Sequence, residues 1–105
     1  MKVYIAGPYS RGDVILNIRA AIDAGDAVME AGHIPFIPHL NMAWHLLHPH
    51  SDATWYKYGL AWVEHCDALL RLPGVSVGAD REVEEARTCL IPIFDSVAAF
   101  LEWAK

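Results

Sequence analysis

Four short β-rich runs punctuate this chain, Lys2–Ala6 (KVYIA), Ile34–Pro38 (IPFIP), Asp67–Leu72 (DALLRL) and Ile91–Phe94 (IPIF), and helical stretches fill the intervals. That alternation is the pattern of an α/β fold, a parallel sheet covered by helices on both faces. From Val14 to Ala31, apolar residues at Ile15, Ile18, Ala21, Ile22, Ala24, Ala27 and Val28 predict a helix with one buried face, ended by Gly32. Ala53–His65 and Ala79–Thr88 read as two further helices, and Ser96 is placed to cap a last one over Val97–Ala104. The prolines of IPFIP suit an edge position or strand ends better than a central strand. Asn41–Ser51, rich in His and aromatics, reads as a short helix or a pocket-covering loop. With 105 residues and no repeat or linker, residues 1–105 are expected to form a single domain.

Parallel sheets bind ligands beyond the carboxyl ends of their strands, near the point where strand order reverses. Three segments directly follow strands, Gly7–Gly12, His39–Trp44 and Pro73–Gly78, and a site is expected to be built from them. In the first (GPYSRG), Gly7 and Gly12 flank Ser10 and Arg11, so backbone donors could meet a phosphate or sugar; a plain strand-to-helix turn would use the same residues. The segment is neither a P-loop nor a GxGxxG fingerprint, and no cofactor is called for. In the third, Ser76 and Gly78 precede a helix whose free N–H groups favour an anion. Carboxylates gather at helix starts because the dipole favours them, which accounts for Asp80. Glu82, expected in the first turn of the same helix, is also a candidate nucleophile or base. His39, directly after the second strand, is the histidine placed to face a ligand.

Composition excludes several classes. The formal charge is −5 and the eight basic residues are scattered, so no polynucleotide partner is expected. No apolar stretch is long enough to span a bilayer, and two cysteines make neither a disulfide framework nor a CxxC metal site; both point to the cytoplasm and away from membranes. His45-x-x-His48-x-His50 lacks a completing ligand, and no metal is expected. GVSVG at Gly74–Gly78 satisfies the GxSxG pattern of serine hydrolases, but nothing after Cys89 supplies a histidine. Four Trp, four Tyr and three Phe exceed what a thin core needs, and a pocket or subunit interface would use the surplus.

KVYIAGPYSRG at Lys2–Gly12, PHL at Pro38–Leu40, WVEHCDALLRLPG at Trp62–Gly74 and SVGADREVEEA at Ser76–Ala86 carry a resemblance covering nearly the whole chain. In their order and spacing the chain resembles the nucleoside 2-deoxyribosyltransferase superfamily, most of all its small DUF4406-type members. The resemblance implies a Rossmann-like or flavodoxin-like three-layer sandwich with a four- to five-stranded parallel sheet. It implies a homodimer or higher oligomer acting on a small nucleoside or nucleotide. It further implies an N-glycosidase or deoxyribosyltransferase in which the glutamate matching Glu82 attacks the anomeric carbon, by the logic of retaining glycosidases. Tyr4 matches a catalytic-site tyrosine beside that nucleophile. Ser76, Gly78 and Asp80 fall in the phosphate-side segment, His39 matches a histidine near the base, and Gly7, Tyr9, Ser10, Arg11 and Gly12 fall in the sugar- or phosphate-side loop. One departure stands out. Eight residues before Asp67 the enzymes carry an aspartate that helps protonate the leaving base, and here the residue is Gly59. An acid would then come from Asp80, His39 or water; without one, the alternative is a nucleotide-binding module of the same fold.

Overall fold

The computed structural model describes residues 1–105. In chain order the elements are β1 (Lys2–Ala6), α1 (Val14–Glu30), β2 (Ile34–Phe36), a 3-10 turn (Pro38–Leu40), α2 (Asn41–Leu47), α3 (Asp52–Glu64), β3 (Ala68–Arg71), α4 (Val77–Thr88), β4 (Ile93–Phe94) and α5 (Val97–Trp103). The four strands form one sheet in the order β2-β1-β3-β4, and every neighbouring pair is parallel. The fold is a three-layer α/β sandwich of the Rossmann-like, flavodoxin-like kind. No helix is long and apolar enough to cross a membrane.

β1 lies between β2 and β3, with Val3, Tyr4, Ile5 and Ala6 fully buried, as expected for a strand covered on both faces. Side chains alternate along it. Val3 and Ile5 join Ala21, Val28 and Phe100 in one core layer, under α1 and α5. Tyr4 and Ala6 join Val63, Ala79 and Ala86 in the other, under α3 and α4. β2 is an edge strand, as its prolines require: Pro35 sits opposite Val3 with no amide to donate outward.

Several expected boundaries shift, β4 for one starting at Ile93 and not Ile91, and two of the shifts bear on the site. β2 stops at Phe36 because Pro38 opens the 3-10 turn, and this carries His39 into a helical turn instead of an open loop. Asn41–Leu47 is a helix. α4 begins at Val77, two residues earlier than the spacing predicts, because the Ser76 hydroxyl accepts from the Ala79 amide at 3.0 Å and caps it there. Gly78 is therefore inside the helix, and Glu82 lies in its second turn, where the dipole that accounts for Asp80 has faded.

From β1 the chain moves to β2 on one side of the sheet and then to β3 on the other. The crevice beyond the carboxyl ends of β1 and β3 is thus the switch point, where such sheets receive ligands.

Candidate active site

Three elements meet at one buried point there. Tyr4 reaches from β1 and donates a hydrogen bond to Oε2 of Glu82 on α4. Gly59, in the middle of α3, backs onto this pair. A Cβ at Gly59 would stand 2.9 Å from Tyr4 Oη and 3.4 Å from Glu82 Oε2, and outside α3 nothing else lies within 4 Å. Glycine inside a helix costs about 1 kcal/mol relative to alanine, but the missing methyl is what lets α3 close on the pair. Gly59→Ala is accordingly expected to destabilise the protein despite its better helix propensity. The phenol belongs to a ring with no exposed surface and has little freedom to retreat, and overpacking costs about 1–3 kcal/mol. A thermal melt should show Tm lower by about 5 °C.

Burial pushes the Glu82 carboxyl up to about 7, against the lowering effects of the Tyr4 hydrogen bond and the Arg71 charge. The Tyr4 phenol is pushed far up by burial and by the neighbouring carboxylate, so it remains a proton donor in this pair. With Oε2 taken by Tyr4, Oε1 is the Glu82 oxygen free for chemistry.

The loops around the pair are tied to one another. The Asn17 side-chain amide donates to the carbonyls of Tyr9 and Arg11, at 2.9 and 2.7 Å, and holds the first loop to α1. Arg71, at the end of β3, donates to the carbonyls of Leu72 and Gly74 and pairs with Asp80 at 3.1 Å, bracing the third loop. Gly74 has φ +115°, and a Cβ there would come within 2.8 Å of the Pro8 ring, so the two loops touch where only glycine fits. His39, 4% exposed, donates from Nε2 to the Pro8 carbonyl at 2.8 Å. Its burial lowers its pKa and keeps the ring neutral, so it acts on the first loop as a brace.

The pair opens into a cleft of about 640 Å³. Of the residues singled out from the sequence, Gly7, Tyr9, Ser10 and Arg11 line it from the first loop, His39 from the 3-10 turn, and Ser76 and Gly78 from the start of α4. Gly12 and Asp80 stand outside the wall; Asp80 faces solvent and Arg71, in a neighbouring groove. His45 takes hydrogen bonds from the Trp55 indole and the His50 amide, and no three His, Cys, Asp or Glu side chains converge as a metal set.

Other lining residues escaped the sequence reading. Asp52, Trp55 and Tyr56 share the wall with Gly59. Their spacing was a usable signal, since positions 52, 55, 56 and 59 fall on one helical face. Arg81 also lines the cleft, its Cζ 4.5 Å from the centroid of the Tyr56 ring.

Among solved structures, the 2-deoxyribosyltransferase of the psychrotolerant bacterium Bacillus psychrosaccharolyticus shares this fold. The match has a TM-score of 0.68 and 17% identity, over 89% of this chain and 69% of that one. No curated protein matches the sequence. The deoxyribosyltransferase-like architecture is thus shared, while the DUF4406 kinship stays a resemblance. A different family spans most of the chain: the one described as a domain of unknown function, DUF7768, matches residues 1–95, and the chain belongs to it.

Proposed function

We propose that the cleft works on the N-glycosidic bond of a nucleoside or its 5′-monophosphate, with Glu82 as nucleophile and Tyr4 as the residue that positions it. The observation that carries this reading is the Glu82 carboxyl itself, half-buried at the sheet's switch point, held by a buried phenol through one oxygen and open to a cleft of nucleoside size. Oε1 attacks the anomeric carbon, the base leaves, and water or a second base takes the sugar from the glycosyl ester. Ser76, Gly78 and Arg81 surround the start of α4, where free N–H groups and a guanidinium suit a 5′-phosphate. The fold similarity to a 2-deoxyribosyltransferase supports the same reaction class. Exposed Leu40, Trp44, Leu46 and Leu47 on and beside α2 suit a homo-oligomer, and a cytoplasmic setting accords with the unpaired Cys66 and Cys89.

The test is a panel of ribo- and deoxyribonucleosides and their 5′-monophosphates, with and without an acceptor base, read by chromatography for free base and by intact mass for a glycosyl adduct on Glu82. Release that depends on Glu82 is expected; no release from any member would overturn the reading. Gly59 favours one second reading, a pocket that binds nucleotides without turnover. It predicts a Tm raised by ligand with no base released.

A further inference from the structure

Breaking the bond to a neutral base drives an electron pair onto the base, and protonation of that base by a general acid contributes about 10²–10⁴-fold. Retaining pairs hold the acid about 5 Å from the nucleophile. No carboxyl or imidazole of the wall is seated beside the pair to fill that role. At Gly59 the position nearest the pair carries no side chain at all. Tyr4 has its proton committed to Glu82. His39 is neutral, with its Nε2 proton on the Pro8 carbonyl. Asp80 is paired with Arg71 outside the wall. Asp52 lies seven residues before Gly59 on the same helix, roughly 10 Å along its axis. His45 accepts at Nδ1 from the indole of Trp55, which lies one turn before Gly59 on α3, so any proton it gives must come from Nε2 on the far side of the ring, and Tyr56 lies under Arg81. The wall does offer aromatic surface, in Trp55 and Tyr9, of the kind that attracts a cationic ring.

We propose that the substrate of this site is an N-glycoside whose base is already cationic, a pyridinium or an N-alkylated purinium, so that it departs neutral without a proton. This rests on the glycosidase reading above and specifies its substrate class. The step balances without an acid. Glu82 Oε1 gives an electron pair to the anomeric carbon, the carbon–nitrogen bond breaks, and its pair neutralises the ring. Water then adds to the anomeric carbon, the ester bond breaks with its pair returning to Glu82, and the water proton goes to solvent.

The experiment compares matched pairs on the full-length protein: 7-methylguanosine against guanosine, and nicotinamide riboside against its neutral dihydro form, each also as the 5′-monophosphate. Every kcat/KM is divided by the uncatalysed rate of the same compound, and Glu82→Gln serves as the blank. The expected result is a rate enhancement at least about 100-fold larger for one or both cationic members, and which pair responds separates pyridinium from purinium. Equal or larger enhancement of the neutral members would overturn the inference and leave the glycosidase reading standing. Absence of Glu82-dependent release from every compound would overturn both. The pH profile with nicotinamide riboside gives a second readout: a single rising limb is expected, and a falling alkaline limb would reveal a general acid and overturn the inference.

Discussion

Glu82→Gln is expected to abolish base release, lowering kcat/KM by at least about 10³-fold while the protein stays folded. The amide keeps the shape of the carboxyl, and its oxygen still accepts the Tyr4 hydrogen bond at the junction of β1, α3 and α4. What it loses is the oxygen that attacks. Glu82→Ala would be a poorer probe, since it removes the acceptor of a fully buried phenol and leaves a void beside Gly59. A melt and a kinetic assay on the same Gln preparation check the two halves of the expectation.

The same substitution exposes the electrostatic cost of the site. A carboxyl raised from its ordinary 4.5 to about 7 binds its proton more tightly in the native state than in the unfolded chain. Its contribution to stability is therefore full below about pH 4.5 and is lost as pH rises through about 7, a loss on the order of 3 kcal/mol. Glutamine has no such slope. Glu82→Gln should match the wild type in acid and exceed it increasingly in Tm as pH rises toward 8. Activity runs the other way, because attack needs the carboxylate. The wild-type kcat/KM should climb about tenfold per pH unit below 7 and level off above it. A wild-type melt that does not change with pH would remove the basis of both expectations.

Much of this geometry was legible because it is local. KVYIA read as the first strand, the prolines of IPFIP argued against a central one, and the loops after strands marked the crevice. What was not legible is contact between distant segments. Gly59 looked like an acid replaced by nothing, and only the packing of α3 against β1 and α4 shows that its missing Cβ makes room for the Tyr4–Glu82 pair. Arg71 read as the end of a strand, whereas its guanidinium braces the loop after β3 through carbonyls and Asp80. His39 lines the cleft as expected, but its bond to the Pro8 carbonyl was not legible, because it depends on a proline-started 3-10 turn that sets the ring's direction. The start of α4 was missed by two residues because Ser76 looked like part of the loop, and its capping bond to Ala79 is a matter of side-chain direction that spacing does not report.

Tyr4→Phe should separate positioning from chemistry. Its hydroxyl lowers the Glu82 pKa, so its removal pushes that carboxyl further up and depletes the carboxylate at neutral pH. We expect kcat/KM to fall about 10–100-fold at pH 7, with the rising limb of the profile displaced to higher pH. Part of the activity should return in alkaline buffer, which the Gln variant cannot do. Stability should fall by about 1.5–3 kcal/mol above pH 7, where a charged acceptor loses its donor, and by about 1 kcal/mol in acid, where the acceptor is neutral. The geometry also sets a sharper test through Gly59. The clash expected for Gly59→Ala is with Tyr4 Oη, at 2.9 Å, so deleting that oxygen opens the space the methyl needs. In the Tyr4→Phe background Gly59→Ala should cost little or stabilise, giving a coupling of about 1 kcal/mol in a double-mutant cycle. Additive effects would mean that α3 does not pack on the phenol, and the account of Gly59 as the residue that seats the nucleophile would fail.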